Sequence, residues 1–204
     1  MGYLIVIVIS YLLGCSNMAY YIARAKNVDL RSGGSGNAGA SNATILLGWR
    51  AGVAVGLHDI GKAYLAVILA KLLFGQLPAI GAVAGVACVL GHIFPIYMKF
   101  RGGKGFASYV GMTLALNWKL ALIMMALVVL LTVVTDYLVV GTFTTVTVVP
   151  VVMGIAQSSW LVAAVLCVGT ATILWKHRDN MVRICKGTEI GLRSTMQGKH
   201  RIKR

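Results

Sequence analysis

Apolar residues run along this chain in long blocks, and the polar residues gather between them. The blocks fall at 3–23, 43–58, 61–75, 78–98, 106–117, 119–135, 137–156 and 159–175. No block shows period-2 alternation, so the pattern favours helices over a β-barrel. Several blocks are shorter than the roughly 20 residues of a straight membrane span. The first, Tyr3 to about Tyr21, is too long for a signal-peptide core. It has no basic residue before it and Arg24 and Lys26 after it, which predicts an uncleaved span with the N-terminus outside.

Basic residues fix the orientation of the rest. Arg24, Lys26 and Arg31 lie in the loop 24–42, and Lys99, Arg101 and Lys104 in the loop 99–105. Lys176, Arg178, Arg183, Lys186, Arg193, Lys199, Arg201, Lys203 and Arg204 follow the last block. All three regions are expected at the cytosol. Residues 42 and 99 must then be joined by an even number of crossings, yet three blocks separate them. Segment 43–58 carries Arg50 and ends in the polar stretch His58-Asp-Ile-Gly-Lys62, so it is the one expected to dip in and return as a half-helix. The prediction is an all-α integral membrane protein: seven spans, a cytosolic-side re-entrant half-helix, N-terminus out and C-terminus in. Turns near Gln76–Pro78, Asn117–Lys119 and Gln157–Ser159 face outward, and only Lys71 and Lys119 fall in the outer half.

Composition agrees with this plan. The 204 residues are 58% hydrophobic, with mean hydropathy +0.83. One membrane domain over 1–192 is expected, followed by a basic cytosolic tail at 193–204. The net charge of +14 would point to nucleic acid in a soluble protein. Here the charges flank apolar spans, so they are assigned to topology and anionic membrane lipids, with no nucleic-acid partner. Cys15, Cys88, Cys167 and Cys185 form no CxxC pair and read as small core residues. Glycines within spans (Gly81, Gly85, Gly91, Gly111, Gly154) predict close helix contact, and Pro95 is expected to bend the fourth block.

Three polar islands carry the candidate chemistry. The first runs from Asp29 to Asn42 and sets Gly33, Gly34, Gly36 and Gly39 among Ser35, Asn37, Ser41 and Asn42. Its backbone is a candidate anion nest, and Ser41 or Asn42 a candidate cap for the half-helix. The second, Lys99 to Gly105, places Lys104 beside Gly102, Gly103 and Gly105. A positive-inside loop explains the lysine alone; the glycines point to a phosphate clamp. It is not a Walker A loop, because glycine and not Ser or Thr follows the lysine. The third runs from Lys176 to Asn180 and on to Gly187-Thr-Glu189. His177 and Asn180 share a face if the helix continues, and Glu189 is a partner for a basic neighbour. No His-x4-Asp pair is present, and His58, His92, His177 and His200 are scattered, so no metal site or cofactor is expected. What remains is electrostatic handling of phosphate.

The segments Gly34 to Asn42, Gly91-His-Ile-Phe-Pro95 through Gly105, and His177 to Asn180 with Gly187 to Glu189 resemble three motifs of one family. These are the bacterial acyl-phosphate:glycerol-3-phosphate acyltransferases, and the similarity runs from about Tyr11 to Glu189. The resemblance implies a cell inner-membrane enzyme of phospholipid biosynthesis. It would move an acyl chain from acyl phosphate to the 1-hydroxyl of glycerol 3-phosphate, giving lysophosphatidic acid and phosphate, and would depend on the enzyme that makes acyl phosphate. It places Ser35, Lys104, His177 and Asn180 in catalytic roles. Gly34, Gly36, Asn37, Gly39, Asn42, Arg101, Gly102, Gly103, Gly105 and Thr142 would bind substrate phosphate, with Glu189 structural. The chain departs from the pattern at Ile45, where the family has an arginine, and at Ala63, Asp136, Val139 and the segment Gly14-Cys-Ser-Asn17. These departures leave open a re-purposed relative that binds phospholipid or acylates another phosphorylated acceptor.

Overall fold

The first apolar block is not one rod. Helix α1 (Gly2–Cys15) stops at Ser16, and Asn17 starts α2 (Met18–Ala25) by accepting the Tyr20 N–H at 2.9 Å. This Asn cap satisfies an end donor that would otherwise be orphaned in an apolar setting. The structure, a computed structural model, describes residues 1–189 and 191. The basic tail expected at 193–204, and with it His200, lies outside the described residues.

The segment expected as a half-helix, 43–58, is not one helix. Helix α3 covers only Ala40–Leu47, and the chain then breaks at Gly48, whose φ of 91° suits glycine. Trp49–Phe74 follows as one uninterrupted 26-residue helix, α4. The polar stretch His58–Lys62, read from the sequence as the break, lies inside it. Asp59 and Lys62 are three apart on one face and bond each other at 2.7 Å. The Lys62 ammonium also donates to the Ser16 carbonyl at 2.6 Å and meets His92 Nδ1 at 2.9 Å. Asp59, Lys62 and His92 are all buried, and His58 Nε2 meets Ser16 Oγ at 3.0 Å. Charges paired in this way need no helix end to reach water.

Two compact units make up the chain, Met1–Leu116 and the part from Asn117 onward. At the centre of the first is α5 (Ile80–Ile93), flanked by α1, α4 and the short α6 (Phe106–Leu116). Backbones touch at the glycines. A Cβ on Gly91 would stand 2.1 Å from the Tyr11 carbonyl oxygen, and one on Gly111 2.1 Å from that of Ile60. Close approach of this kind is the expected use of membrane glycines. Pro95 ends α5 instead of bending it, because the residue before a proline is pushed out of helical geometry.

In the second unit, Asn117 and Ser159 cap α7 (Trp118–Thr135) and α9 (Trp160–Lys176). Between them lies α8 (Leu138–Ala156), and after a bend of 46° comes α10 (Arg178–Cys185). Thr132 and Thr145 return their hydroxyls to carbonyls one turn back, which keeps them satisfied inside apolar helices. Cys15 and Cys88 are buried as expected, whereas Cys167 and Cys185 are exposed, since each falls on an outward helix face.

Among the described residues five helical stretches are long and apolar enough to cross a membrane, and six if α9 and α10 count as one. The chain is a multi-pass membrane protein. Helix α6 has 11 residues, about 17 Å at 1.5 Å per residue, against roughly 30 Å of hydrocarbon.

Candidate functional site

Asn42 organises the first island. Its side chain is fully buried in the first turn of α3 and reaches back into the glycine loop. Oδ1 accepts the Ser35 N–H at 2.8 Å, and Nδ2 donates to the Leu30 carbonyl at 2.8 Å. Neither Ser41 nor Asn42 caps α3; Gly39 stands at the cap position with no side-chain bond. Gly34 and Gly36 have φ of 59° and 65°, and a Cβ on Gly34 would lie 2.1 Å from Asn42 Oδ1. Gly36 N–H donates to the Gly33 carbonyl at 3.0 Å. Two amides of the expected nest therefore hold the loop itself. Ser35 is exposed at its tip, and Asn37 is half-buried. Below, Asn17 Nδ2 supports the loop at the Ala38 carbonyl, 3.2 Å away.

Replacing Asn42 removes both bonds and leaves a buried carbonyl without its donor. Asn42→Ala is expected to destabilise the protein by about 1–3 kcal/mol. Thermal unfolding of the purified protein measures this, and an unchanged midpoint would contradict the role.

The second island leaves α5 through a 3-10 turn at Ile96–Met98 and two left-handed residues, Lys99 and Phe100. It then returns to the end of α5. Gly102 N–H donates to the Ile93 carbonyl at 3.0 Å and Gly103 N–H to that of His92 at 3.1 Å. These bonds satisfy carbonyls that the end of a helix leaves open. Gly102 and Gly103 are glycine for close approach: their Cβ atoms would stand 2.1 Å from His92 O and 2.0 Å from His92 Nε2. Gly105, with φ of 93°, turns the chain into α6, and Lys104 before it is half-buried.

Arg31 joins the first two islands. Its guanidinium donates to the carbonyls of Met98 at 3.3 Å and Arg101 at 3.2 Å. From the sequence Arg31 is one more inner-side charge, and nothing local marks its reach across 70 residues. The Arg101 side chain is exposed.

The third island bends where a continuous helix was expected. His177 is both the end of α9 and the cap position of α10, so it and Asn180 do not share a straight helical face. His177 is buried, and its Nδ1 meets the Ile173 carbonyl at 2.8 Å. A carbonyl only accepts, so Nδ1 carries the proton. Phe143 lies edge-on to this ring at 6.0 Å. Its neighbour Thr142 is buried and donates to the Leu138 carbonyl at 3.2 Å. Glu189 bonds Asn180 Nδ2 and Arg183 Nε, each at 2.7 Å, and so folds the following segment back onto α10. Trp175 is flanked by the cations of Lys176 at 5.6 Å and Arg178 at 4.8 Å, an arrangement suited to a membrane interface.

Among the described residues no group of three His, Cys, Asp or Glu side chains is placed to hold a metal ion. The arrangement is one of glycine turns, cations and fixed amides, which suits phosphate esters.

Residues 4–187 match the glycerol-3-phosphate acyltransferase family. The chain belongs to this family. A glycerol-3-phosphate acyltransferase of Thermoanaerobacter sp. (strain X514) is 37% identical over 183 residues, 89% of this chain and 91% of that protein. The crystal structure of PlsY (YgiH), an integral membrane glycerol 3-phosphate acyltransferase, in its glycerol 3-phosphate form has a TM-score of 0.90. It is 31% identical and covers 96% of this chain and 98% of that one. A lysophosphatidic acid form of PlsY gives 0.82 at 30% identity, covering 94% and 95%. The chain is thus an acyltransferase of phospholipid synthesis, as its motifs imply. Within this family fold, Ile45 sits against the first island: its Cγ2 lies 3.4 Å from where a Gly34 Cβ would be.

Proposed function

We propose that this chain acylates the 1-hydroxyl of glycerol 3-phosphate with acyl phosphate as donor, giving lysophosphatidic acid and inorganic phosphate. Family membership supports the reaction class. One geometric observation carries the assignment of the site: Arg31 ties the Asn42-pinned glycine loop to the loop that carries Lys104. The phosphate-handling residues are Ser35, Lys104, His177 and Asn180, assisted by the glycines of the first two islands, Asn37, Arg101 and Thr142. Lys104 offsets phosphate charge, and His177 and Asn180 offer directed hydrogen bonds. The glycerol oxygen bonds to the acyl carbon, and the bond from that carbon to the phosphate oxygen breaks. The hydroxyl proton passes to a substrate phosphate oxygen. Ser35 positions substrate, since a covalent acyl-serine would need a base beside it.

Seven spans follow if α1 with α2, then α4, α5, α6, α7, α8 and α9 each cross, with α6 as the short member. Two crossings then separate the first and second islands and four separate the second and third, so all three face the cytosol. Anionic lipid headgroups meet the cations around Trp175.

The test is lysophosphatidic acid formation by the purified full chain, followed by mass spectrometry. Product from acyl phosphate plus glycerol 3-phosphate, and none from acyl-CoA, is expected. Absence of product from acyl phosphate would remove the reading. Ile45→Arg restores a cation beside Gly34, and one charge-assisted contact contributes about 1.5–3 kcal/mol. The KM for glycerol 3-phosphate is therefore expected to fall about tenfold or more.

A further inference from the structure

The buried cluster on α4 lies directly behind the second island. Lys62 has three ammonium N–H donors and three partners: Ser16 O at 2.6 Å, Asp59 Oδ1 at 2.7 Å and His92 Nδ1 at 2.9 Å. His92 Nδ1 also lies 3.3 Å from Asp59 Oδ1, so the Lys62–Asp59 pair holds the ring by its Nδ1 edge and leaves the Nε2 edge facing away. That Nε2 edge lies against the Gly103 Cα, with no room for even a methyl group between them. The carbonyl of the same histidine holds the Gly103 N–H at 3.1 Å. His92 therefore grips the loop from its main chain and its ring at once, one residue before Lys104. On its other side, Lys62 holds Ser16, whose neighbour Asn17 carries the first island at Ala38. One ammonium thus reaches the supports of both islands.

We infer that Lys62, Asp59 and His92 are positioning residues for the acyl transfer: Lys62 and Asp59 together fix the place of the His92 ring, and His92 fixes the Gly102–Gly105 loop and so the Lys104 amine. The inference rests on the reaction proposed above. None of the three touches substrate; they act through Gly103. Stability alone would be served as well by an apolar trio of similar volume, since a buried ion pair seldom stabilises more than its hydrophobic replacement.

The experiment compares the wild-type chain with Asp59→Asn/Lys62→Met, which removes both charges and strands neither, and with His92→Asn. Acyl-phosphate turnover is measured with glycerol 3-phosphate varied. Amide hydrogen exchange follows Gly103, and nitrogen NMR reads the His92 tautomer. The double variant is expected to melt at the wild-type temperature with an unchanged KM. Its kcat should fall about a hundredfold, the scale of a 1 Å misplacement of a reacting group. Gly103 exchange should rise at least about tenfold as the loop loosens. His92 in the wild type should show a single tautomer, and a mixture in the double variant. His92→Asn keeps an acceptor for Lys62 but loses the ring edge, and should lose kcat likewise. Wild-type kcat and Gly103 exchange in the double variant would overturn the inference, as would a mixture of His92 tautomers in the wild type. A wild-type protein with no acyl transfer would sink the proposed reaction instead, while the exchange and tautomer measurements still decide the positioning role.

Discussion

Lys104→Ala stops phosphate release from acyl phosphate and glycerol 3-phosphate while leaving the protein folded. The lysine is half-buried between Gly103 and Gly105, so its truncation opens no core cavity. On the proposed reaction, what is lost is a charge placed where negative charge shifts during acyl transfer. Removal of one such preorganised group lowers kcat by about a hundredfold to a thousandfold. Lys104→Arg keeps the charge but changes its reach and shape, and recovers little. Phosphate release by purified protein, normalised to the folded fraction, is the measurement. Full activity of Lys104→Ala would remove Lys104 from the site.

The second large effect is on stability. Asp59→Ala leaves the Lys62 ammonium buried with only neutral acceptors, Ser16 O and His92 Nδ1. Removing one partner of a buried pair costs about 3–5 kcal/mol, whereas removing both is close to neutral. Asp59→Ala alone is therefore expected to lower the unfolding midpoint well below that of Asp59→Asn/Lys62→Met. Equal midpoints would mean that the pair is not desolvated.

The same residues show what could be read from the sequence. The islands were legible because glycine beside Lys, His or Asn is out of place in an apolar chain, and their order matched a family. The end of the half-helix was not. A polar stretch such as His58–Lys62 inside an apolar block has two physical resolutions. Either the helix ends and the charges meet water, or the helix continues and they meet each other. The choice turns on His92, 30 positions away, which no local pattern reveals. Gly48 next to Trp49 and Arg50, an interfacial pair stacked at 5.5 Å, was the signal for the true break. Asn42 misled in a similar way. Its place near a helix start suits a cap, yet its amide has both a donor and an acceptor and bridges Ser35 and Leu30. The 46° bend at His177 likewise has no proline or glycine beside it to announce it.

A charged pair at the middle of α4 also constrains how this protein is made. Asp and Lys near the centre of a lone helix each oppose insertion by about 2.5–3.5 kcal/mol. The partners that offset this arrive at different times. The Ser16 carbonyl, at the end of α1, is made before α4, but His92 emerges only with α5. The nascent α4 is therefore a poor passenger for a translocon that releases helices singly. It enters the bilayer best while α1 is still held beside it, and it is secured only once α5 follows. Joint insertion of α1, α4 and α5 is the expected consequence, because Lys62 on α4 has partners at the end of α1 and on α5.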